Sequence, residues 1–458
     1  MGTLKVNEDF KTEIDEPKKA YRWKCTVCGE ITEGVEPPKV CPVCGVDSNY
    51  FIRLEDSAKV KISDKYESFV IIGSGGAGMS AAEEIRSRNK NCDITVISKE
   101  AVKGYYRPQL SKMLSKGISS DLLSIKDDLW FKENNVKLLL NTEVTGLDIA
   151  AKQIYLSDDK KLGYTKLIFA SGAECFMPPI TGNDKKGVFT LRYFNDVIDI
   201  REYAKGKRYA AVIGGGVLGL ETASELNNMG LEVTVIEMAD RILPRQLDHQ
   251  SSLIVEELVK NAGVRFRKNA STKEIIGTDI ANGVLLVDGE IINAYIIVVS
   301  TGVRSNSQIA QNSGIEVKRA IVVNEKMETN VPDIYACGDC CEYEGINYAL
   351  WSEAIEQGKT AGINAAGDEY IYNQIIPSTT LNAFNTGVFS VGDIGSNVND
   401  DYQVYEFKQP DGKNYKKLYF KGGQLVGGIL VGDTSKTVQM LEGFEKGRST
   451  EEMIKSIE

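Results

Sequence analysis

The sequence predicts an α/β chain: two doubly wound, Rossmann-like units, a small four-cysteine module in front of them and an α+β domain behind. Three observations predict it. A strand, glycine-rich turn, helix and second strand occur in that order twice, at FVIIGSGGAGMSAAEEIRSRNKNCDITVIS (69–98) and AAVIGGGVLGLETASELNNMGLEVTVIE (210–237). Two C-x-x-C pairs lie close together near the front, in KCTVCGEITEGVEPPKVCPVCG (24–45). From about Glu369 the texture turns to alternating β-rich stretches, VYEF, YKKLYF and QLVGGILVG, with a short amphipathic helix near MLEGFEKG.

The bulk numbers agree with several domains. At 458 residues, 42% of them hydrophobic, the chain is long enough for more than one core. A formal net charge of -10 makes nucleic acid and anionic membrane poor partners. MGTLKVNEDF lacks the apolar run of a signal peptide, and no stretch has membrane-spanning length, so a soluble cytoplasmic protein is expected. The single histidine, His249, lies in a polar stretch and excludes a His-based triad or a multi-His metal site. Chemistry must come from cofactors, thiolates, carboxylates or lysines.

In chain order, residues 1–18 read as a charged tail and 19–56 as the four-cysteine module. Residues 57–67 form a linker that would allow the module to swing or to dock on another subunit. The first doubly wound domain takes 68–178 and 300–367, the second 179–299, and the α+β domain 368–458. In the module, Cys25, Cys28, Cys41 and Cys44 have the spacing of two knuckles that present four sulfurs tetrahedrally. The residues alone leave zinc and iron open. The other thiols, Cys92 and Cys175 among them, fit no disulfide framework.

Each repeated unit carries a phosphate cradle. The first is Gly73-Ser-Gly75-Gly76-Ala77-Gly78 and the second Gly214-Gly-Gly216-Val-Leu218-Gly219. The first glycine of each permits a tight turn, the second a close approach to pyrophosphate, and the third close packing of helix on strand. Glu237, 23 positions after Gly214, ends the second unit. A carboxylate there accepts from the ribose hydroxyls and repels a 2′-phosphate, so NADH is preferred, with Arg241 softening the preference. In the first unit the acid is displaced by two positions, which makes Glu100 the ribose candidate. TNVPDIYACGD (329–339) reads as an apolar strand ending in Gly338-Asp339 before a helix, where Asp339 can bond the ribityl chain of FAD.

These features together resemble the flavoprotein disulfide reductase superfamily. Ser171-Gly172-Ala and Ser300-Thr-Gly302-Val resemble its two crossover signatures and imply an FAD domain with the NAD domain inserted in it. YYRPQLSK (105–112) contains no cysteine and resembles the NADH:rubredoxin and ferredoxin reductase branch. That resemblance implies that Arg107 and Pro108 lie beside FAD, that Lys112 approaches the isoalloxazine, and that Glu221 contacts the nicotinamide. Lys112 and Glu221 are then expected to pair across two domains. Trp351, in NYALWSEAIEQGKTAG, is implied to lie near the flavin edge or on the electron exit path. Cys337-Gly-Asp-Cys340, followed by Cys341, has the spacing of a redox dithiol, but the buried strand end and the demand for Asp339 argue for packing.

Residues 20–54 resemble the rubredoxin-like module of rubrerythrins, with an aromatic before the first knuckle, an EPP loop and CPVCG. The joint resemblance implies FAD, NADH and a four-thiolate iron, with zinc as the alternative. It implies an NADH:rubredoxin-type oxidoreductase that sends electrons through its own iron to a partner such as rubredoxin, rubrerythrin or a flavodiiron protein, in oxygen or peroxide defence. An NADH oxidase or small-molecule reductase with a structural zinc module is the rival. A homo-oligomer through the C-terminal domain is a further expectation.

Overall fold

The computed structural model of the chain describes residues 21–26, 29–41, 46–54, 61–117, 119–395, 400–409 and 412–458. Two five-stranded parallel sheets form its centre. The first runs, edge to edge, Ile334–Ala336, Lys166–Phe169, Ser68–Ile72, Asp93–Ile97 and Val136–Leu139. The second runs Val188–Phe189, Ile296–Val299, Tyr209–Ile213, Glu232–Ile236 and Arg265–Arg267. The central strands are apolar on both faces, as helix-covered parallel strands must be: Phe69, Val70, Ile71, Ala211 and Val212 are all fully buried.

The two repeats meet their glycine requirements in the same way. Gly73 and Gly214 adopt φ of +116° and +117°, and a Cβ on either would stand 2.1 Å from the carbonyl oxygen of Ala170 or Ser300. A Cβ on Gly78 or Gly219 would stand 2.0 or 2.1 Å from the oxygen of Gly73 or Gly214, so each helix closes on its own turn. Between the domains the chain leaves and returns through a two-stranded antiparallel ladder of Ala173–Cys175 with Val303–Ser305.

Gly338-Asp339 is followed not by a long helix but by one 3-10 turn, Gly338–Cys340, and the short strand Cys341–Tyr343. Gly338 at φ +75° turns the chain out of its strand, and the long helix starts only at Trp351. That helix, Trp351–Ala365, packs backbone to backbone on Gly76–Arg88. A Cβ on Gly358 would lie 2.2 Å from Ala77 O, and one on Gly362 2.5 Å from Ala81 O. Small residues on both helices therefore bring Trp351 up to the first glycine turn.

The C-terminal domain is a five-stranded antiparallel sheet ordered Ser378–Ala383, Thr386–Gly392, Gln424–Gly432, Tyr415–Lys421 and Gln403–Lys408. Two helices follow, Thr437–Lys446 and Thr450–Ile457. The sequence predicts only the first. The second opens on a capping box between Ser449 and Glu452 and buries Met453 and Ile457 against the sheet.

At the front, Tyr21–Cys25 forms the middle of a three-stranded antiparallel sheet with Ile31–Gly34 and Phe51–Leu54. The tail 1–18 lies outside the described residues, as does part of the linker. The linker's remainder is not free-standing. Lys61 Nζ donates to Gly367 O at 3.2 Å, and Asn89 Nδ2 donates to Lys65 O at 2.8 Å, which lays residues 61–67 along the first doubly wound domain.

Candidate functional site: a dinucleotide cavity beside the four-cysteine module

A cavity of about 570 Å³ opens at the C-terminal end of the first sheet. Of the residues singled out in the sequence, Gly73, Gly75, Gly76 and Ala77 form its floor. Glu100, Arg107, Pro108, Ser171 and Gly172 form one side, and Gly338, Asp339, Trp351 and Leu218 the rest. Gly78 lies behind the floor, where it packs the helix.

The residues fit a dinucleotide. The helix Gly76–Arg88 begins at Gly75 with no side-chain cap, so its first N–H groups are left for an anion. A Cβ on Gly75 would meet no described atom within 4 Å, so the backbone there is open to a phosphate. Trp351 Nε1 is buried and has no hydrogen-bond partner among the described residues. A buried indole N–H on a cavity wall is a donor awaiting a ligand acceptor.

The second cradle repeats the arrangement. The helix Val217–Asn228 starts uncapped at Gly216, and a Cβ there would also meet nothing described within 4 Å. Glu237 is fixed by two backbone donors: Gly215 N–H to Oε2 at 2.6 Å and Ala239 N–H to Oε1 at 2.7 Å. Each carboxylate oxygen keeps a lone pair for a ribose hydroxyl. Arg241 is held by Asp240 at 2.9 Å and by Pro244 O at 3.1 Å. Gly302, with φ +102°, lies at the return to the first domain.

Several polar residues of the cavity carry no motif. Arg192 Nη2 donates to Asp339 Oδ2 at 2.8 Å and its Nε to Ala173 O at 2.8 Å, so Asp339 enters the cavity already paired. Glu100 accepts from Arg107 Nη2 and Tyr105 O–H, both at 2.9 Å, and from Phe194 N–H at 3.2 Å. Tyr105 is pushed above the usual phenol range, first by burial and then by Glu100.

Lys112 does not line the cavity. Its Nζ points to the second helix and the C-terminal domain, 4.0 Å from Glu221, 3.5 Å from Glu225 and donating to Asn382 O. Lys112 therefore approaches Glu221 as expected, at 4.0 Å, but stands closer to a second carboxyl, Glu225, that carries no sequence signature. Glu221 is raised to about 7, mainly because it is buried, with Lys112 and Ser111 opposing.

Cys337, Cys340 and Cys341 are buried, and burial raises all three thiols. Cys340 donates to Cys337 O at 3.2 Å, and Cys337 to Phe169 O at 3.7 Å. These neutral thiols act as packing groups. Cys92 is buried as well, and Cys175 half-buried with its Sγ donating to Leu191 O at 3.8 Å.

In the four-cysteine module, Cys25 and Cys41 are 0% and 2% exposed, at the centre of a cluster with Val46, Tyr50 and Phe51. Backbone bonds flank them: Gly29 N–H donates to Cys25 O at 2.9 Å, and Cys41 N–H to Val46 O at 2.7 Å. Cys28 and Cys44 lie outside the described residues. Two buried thiols in one cluster suit half of a tetrahedral thiolate site.

The module is docked within the same chain. Trp351 packs against its core cluster with one part of the indole, while the ring edge stands 3.0 Å from where a Gly76 Cβ would lie. Tyr106 stacks beside Trp351 and donates its hydroxyl to Glu30 of the module. Burial, opposed by this bond, raises the Glu30 carboxyl. Ile355 lies against Gly29, and Tyr50 shares a hydrogen bond with Thr434 of the C-terminal domain.

Comparison with known proteins matches three segments to families. Residues 67–358 match the pyridine nucleotide-disulphide oxidoreductase family, 377–448 the rubredoxin NAD+ reductase C-terminal domain, and 23–52 the rubrerythrin rubredoxin-like domain. The chain is 31% identical to an NADH-rubredoxin oxidoreductase of Clostridium acetobutylicum over 84% of its own length and 96% of that protein. It is 36% identical to a nitrite reductase [NAD(P)H] of Bacillus subtilis, over 83% of this chain and 47% of that protein, so it spans about half the length of that relative. Among solved structures, an NAD-dependent persulfide reductase from A. fulgidus superposes with TM-score 0.79 at 28% identity, over 84% of this chain and 78% of that one. The NADH:rubredoxin oxidoreductase structure from Clostridium acetobutylicum gives 0.71 at 30%, over 84% and 96%.

Proposed function

The chain belongs to the pyridine nucleotide-disulphide oxidoreductase family of FAD- and NADH-dependent enzymes, and on that footing we propose that it is an NADH:rubredoxin-type oxidoreductase whose first electron acceptor is a four-thiolate iron in its own N-terminal module. One observation carries this reading: Trp351 is at once a wall of the FAD-type cavity and part of the packing around Cys25 and Cys41. An acceptor docked there stands next to the donor's cavity with no diffusional encounter between them.

FAD bound in the first cavity would supply a hydride acceptor able to release its two electrons singly, and a four-thiolate iron takes one at a time. The chain's own residues do the rest. The uncapped helix ends at Gly75 and Gly216 bind the two pyrophosphates. Glu237 orients the NADH ribose and rejects a 2′-phosphate, and Arg241, tied to Asp240 and Pro244, is not free to reverse that choice. Arg192 holds Asp339 toward the ribityl position. Glu221 would contact the nicotinamide, as the resemblance implies. Trp351 and Tyr106 exclude water between cavity and module. Because NADH yields two electrons and the iron accepts one, each turnover needs two successive departures from the module to an external one-electron partner, such as rubredoxin, rubrerythrin or a flavodiiron protein in oxygen or peroxide defence. A cytoplasmic site of action suits that supply of NADH.

Metal and flavin analysis of the full chain tests this assignment. One iron and one FAD per chain, with NADH-driven reduction of an external rubredoxin under anaerobic conditions, is expected. One zinc, with NADH consumed only when oxygen is present, would replace the reading with an NADH oxidase carrying a structural module.

A further inference from the structure

Three domains meet at one cluster of charges. Lys112 belongs to the FAD domain, Glu221 and Glu225 stand one turn apart on the helix Val217–Asn228, and Asn382 belongs to the C-terminal sheet. Glu225 is 5% exposed, and the side chains of Lys112 and Glu221 are 15% and 14% exposed. One ammonium therefore faces two carboxyls in a site almost closed to water.

The distances separate the two carboxyls. Lys112 Nζ lies nearer Glu225, at 3.5 Å, than Glu221, at 4.0 Å. Glu225 Oε2 also accepts from Ser115 Oγ, while Asn228 Nδ2 reaches it at 3.4 Å. Glu221 has Ser111 Oγ as a donor at 2.9 Å. Lys112 Nζ is further held by Asn382 O, and Phe384 N–H donates to Ser224 Oγ at 3.1 Å beside them, so the C-terminal sheet clamps the cluster from its far side. From the remaining packed element, Arg201 is the nearby charge, and it is spent on the carbonyls of Met113 and Leu114.

We propose that Glu225 is the positioning residue of this junction: it, rather than Glu221, is the counter-ion of Lys112, and it thereby leaves the Glu221 carboxyl free to donate its proton to the nicotinamide carboxamide. A buried site cannot cheaply hold two carboxylates against one ammonium, so one carboxyl keeps its proton. Glu225 is the carboxyl closer to the Lys112 ammonium. The raised titration of Glu221, to which the Glu225 charge contributes, agrees with that division. The proposal rests on the NADH-oxidising reading of the site, since it gives Glu221 a role toward the nicotinamide.

Two measurements on the full chain test it. In infrared difference spectra between acid and alkaline buffer, the wild-type protein shows a protonated-carboxyl band that disappears as pH rises through about 7. In Glu225→Gln, Lys112 has only Glu221 to pair with, and the band's midpoint falls by about one unit or more. In anaerobic reduction by NADH, the wild-type KM rises above the same pH while kcat changes little; in Glu225→Gln the rise moves down by the same interval, and Glu225→Asp restores it. A Glu225→Gln profile superimposable on wild type, in band and in KM, overturns the proposal even if the variant is less stable. If NADH fails to reduce the wild type at any pH while the band behaves as described, the fault lies with the enzymatic reading and not with the charge assignment.

Discussion

The rings of Trp351 and Tyr106 pack with centroids 5.8 Å apart and planes inclined by 46°, at the point where the four-cysteine module meets the dinucleotide cavity. The contact places a metal module and a flavin-type site of one chain on either side of an aromatic pair.

The docking depends on the C-terminal domain as well as on the aromatics. Tyr50 and Thr434 are buried and bonded to each other, so Thr434→Val removes one of the Tyr50 hydroxyl's two side-chain partners and leaves Thr437, at a cost of about 0.5–1.5 kcal/mol to the docked state. Rapid-mixing spectroscopy should show flavin reduction by NADH at the wild-type rate and slower reduction of the module. Equal slowing of both phases would mean that the substitution acts on the whole fold.

Glu237 is set in place by Gly215 and Ala239 before any ligand arrives. Glu237→Ala should raise the KM for NADH roughly ten- to hundredfold, the range for losing charge-assisted bonds of about 1.5–3 kcal/mol, and narrow the gap to NADPH. Steady-state kinetics with both nucleotides measures the ratio.

At Gly73 the backbone is at φ +116°, and any Cβ would collide with Ala170 O at 2.1 Å. Gly73→Ala should displace the turn that faces the pyrophosphate. The purified variant should carry a small fraction of the wild-type flavin, read from its visible absorbance, and Gly214→Ala should retain flavin but lose NADH reduction.

Glu221 also links stability to pH. Its folded-state value of about 7 lies above the ordinary 4.5, so the folded protein binds this proton more tightly than the unfolded chain. The resulting stabilisation is complete below about 4.5 and is lost as pH rises through about 7. Between those limits, Glu221→Gln should lose less thermal stability with rising pH than wild type does. Parallel curves in scanning calorimetry would contradict the assignment.

Much of the fold was legible because backbone demands leave residues at fixed spacing. Gly73 and Gly214 could be recognised since no side chain fits their turns, and the knuckles since four thiols need two tight loops. Glu221 and Lys112 were found by resemblance. Glu225 was not, although it follows Glu221 by one helical turn, because a glutamate in a helix carries no mark until its partner is known. Arg192 lies in a segment that meets Asp339 only through the crossover between domains, so nothing local announced it. The last helix could have been read from Ser449 and Glu452, whose spacing is a capping box. The docking of the module was invisible, since Trp351, Tyr106, Glu30 and Thr434 come from four separate parts of the chain.

The central claim is that electrons from NADH reach the chain's own four-cysteine centre through the flavin. Anaerobic stopped-flow mixing of the iron-loaded full chain with NADH tests it most directly. The flavin absorbance should bleach first and the ferric-thiolate absorbance second, at a rate independent of protein concentration. A ferric-thiolate band that stays oxidised while the flavin is fully reduced would contradict it.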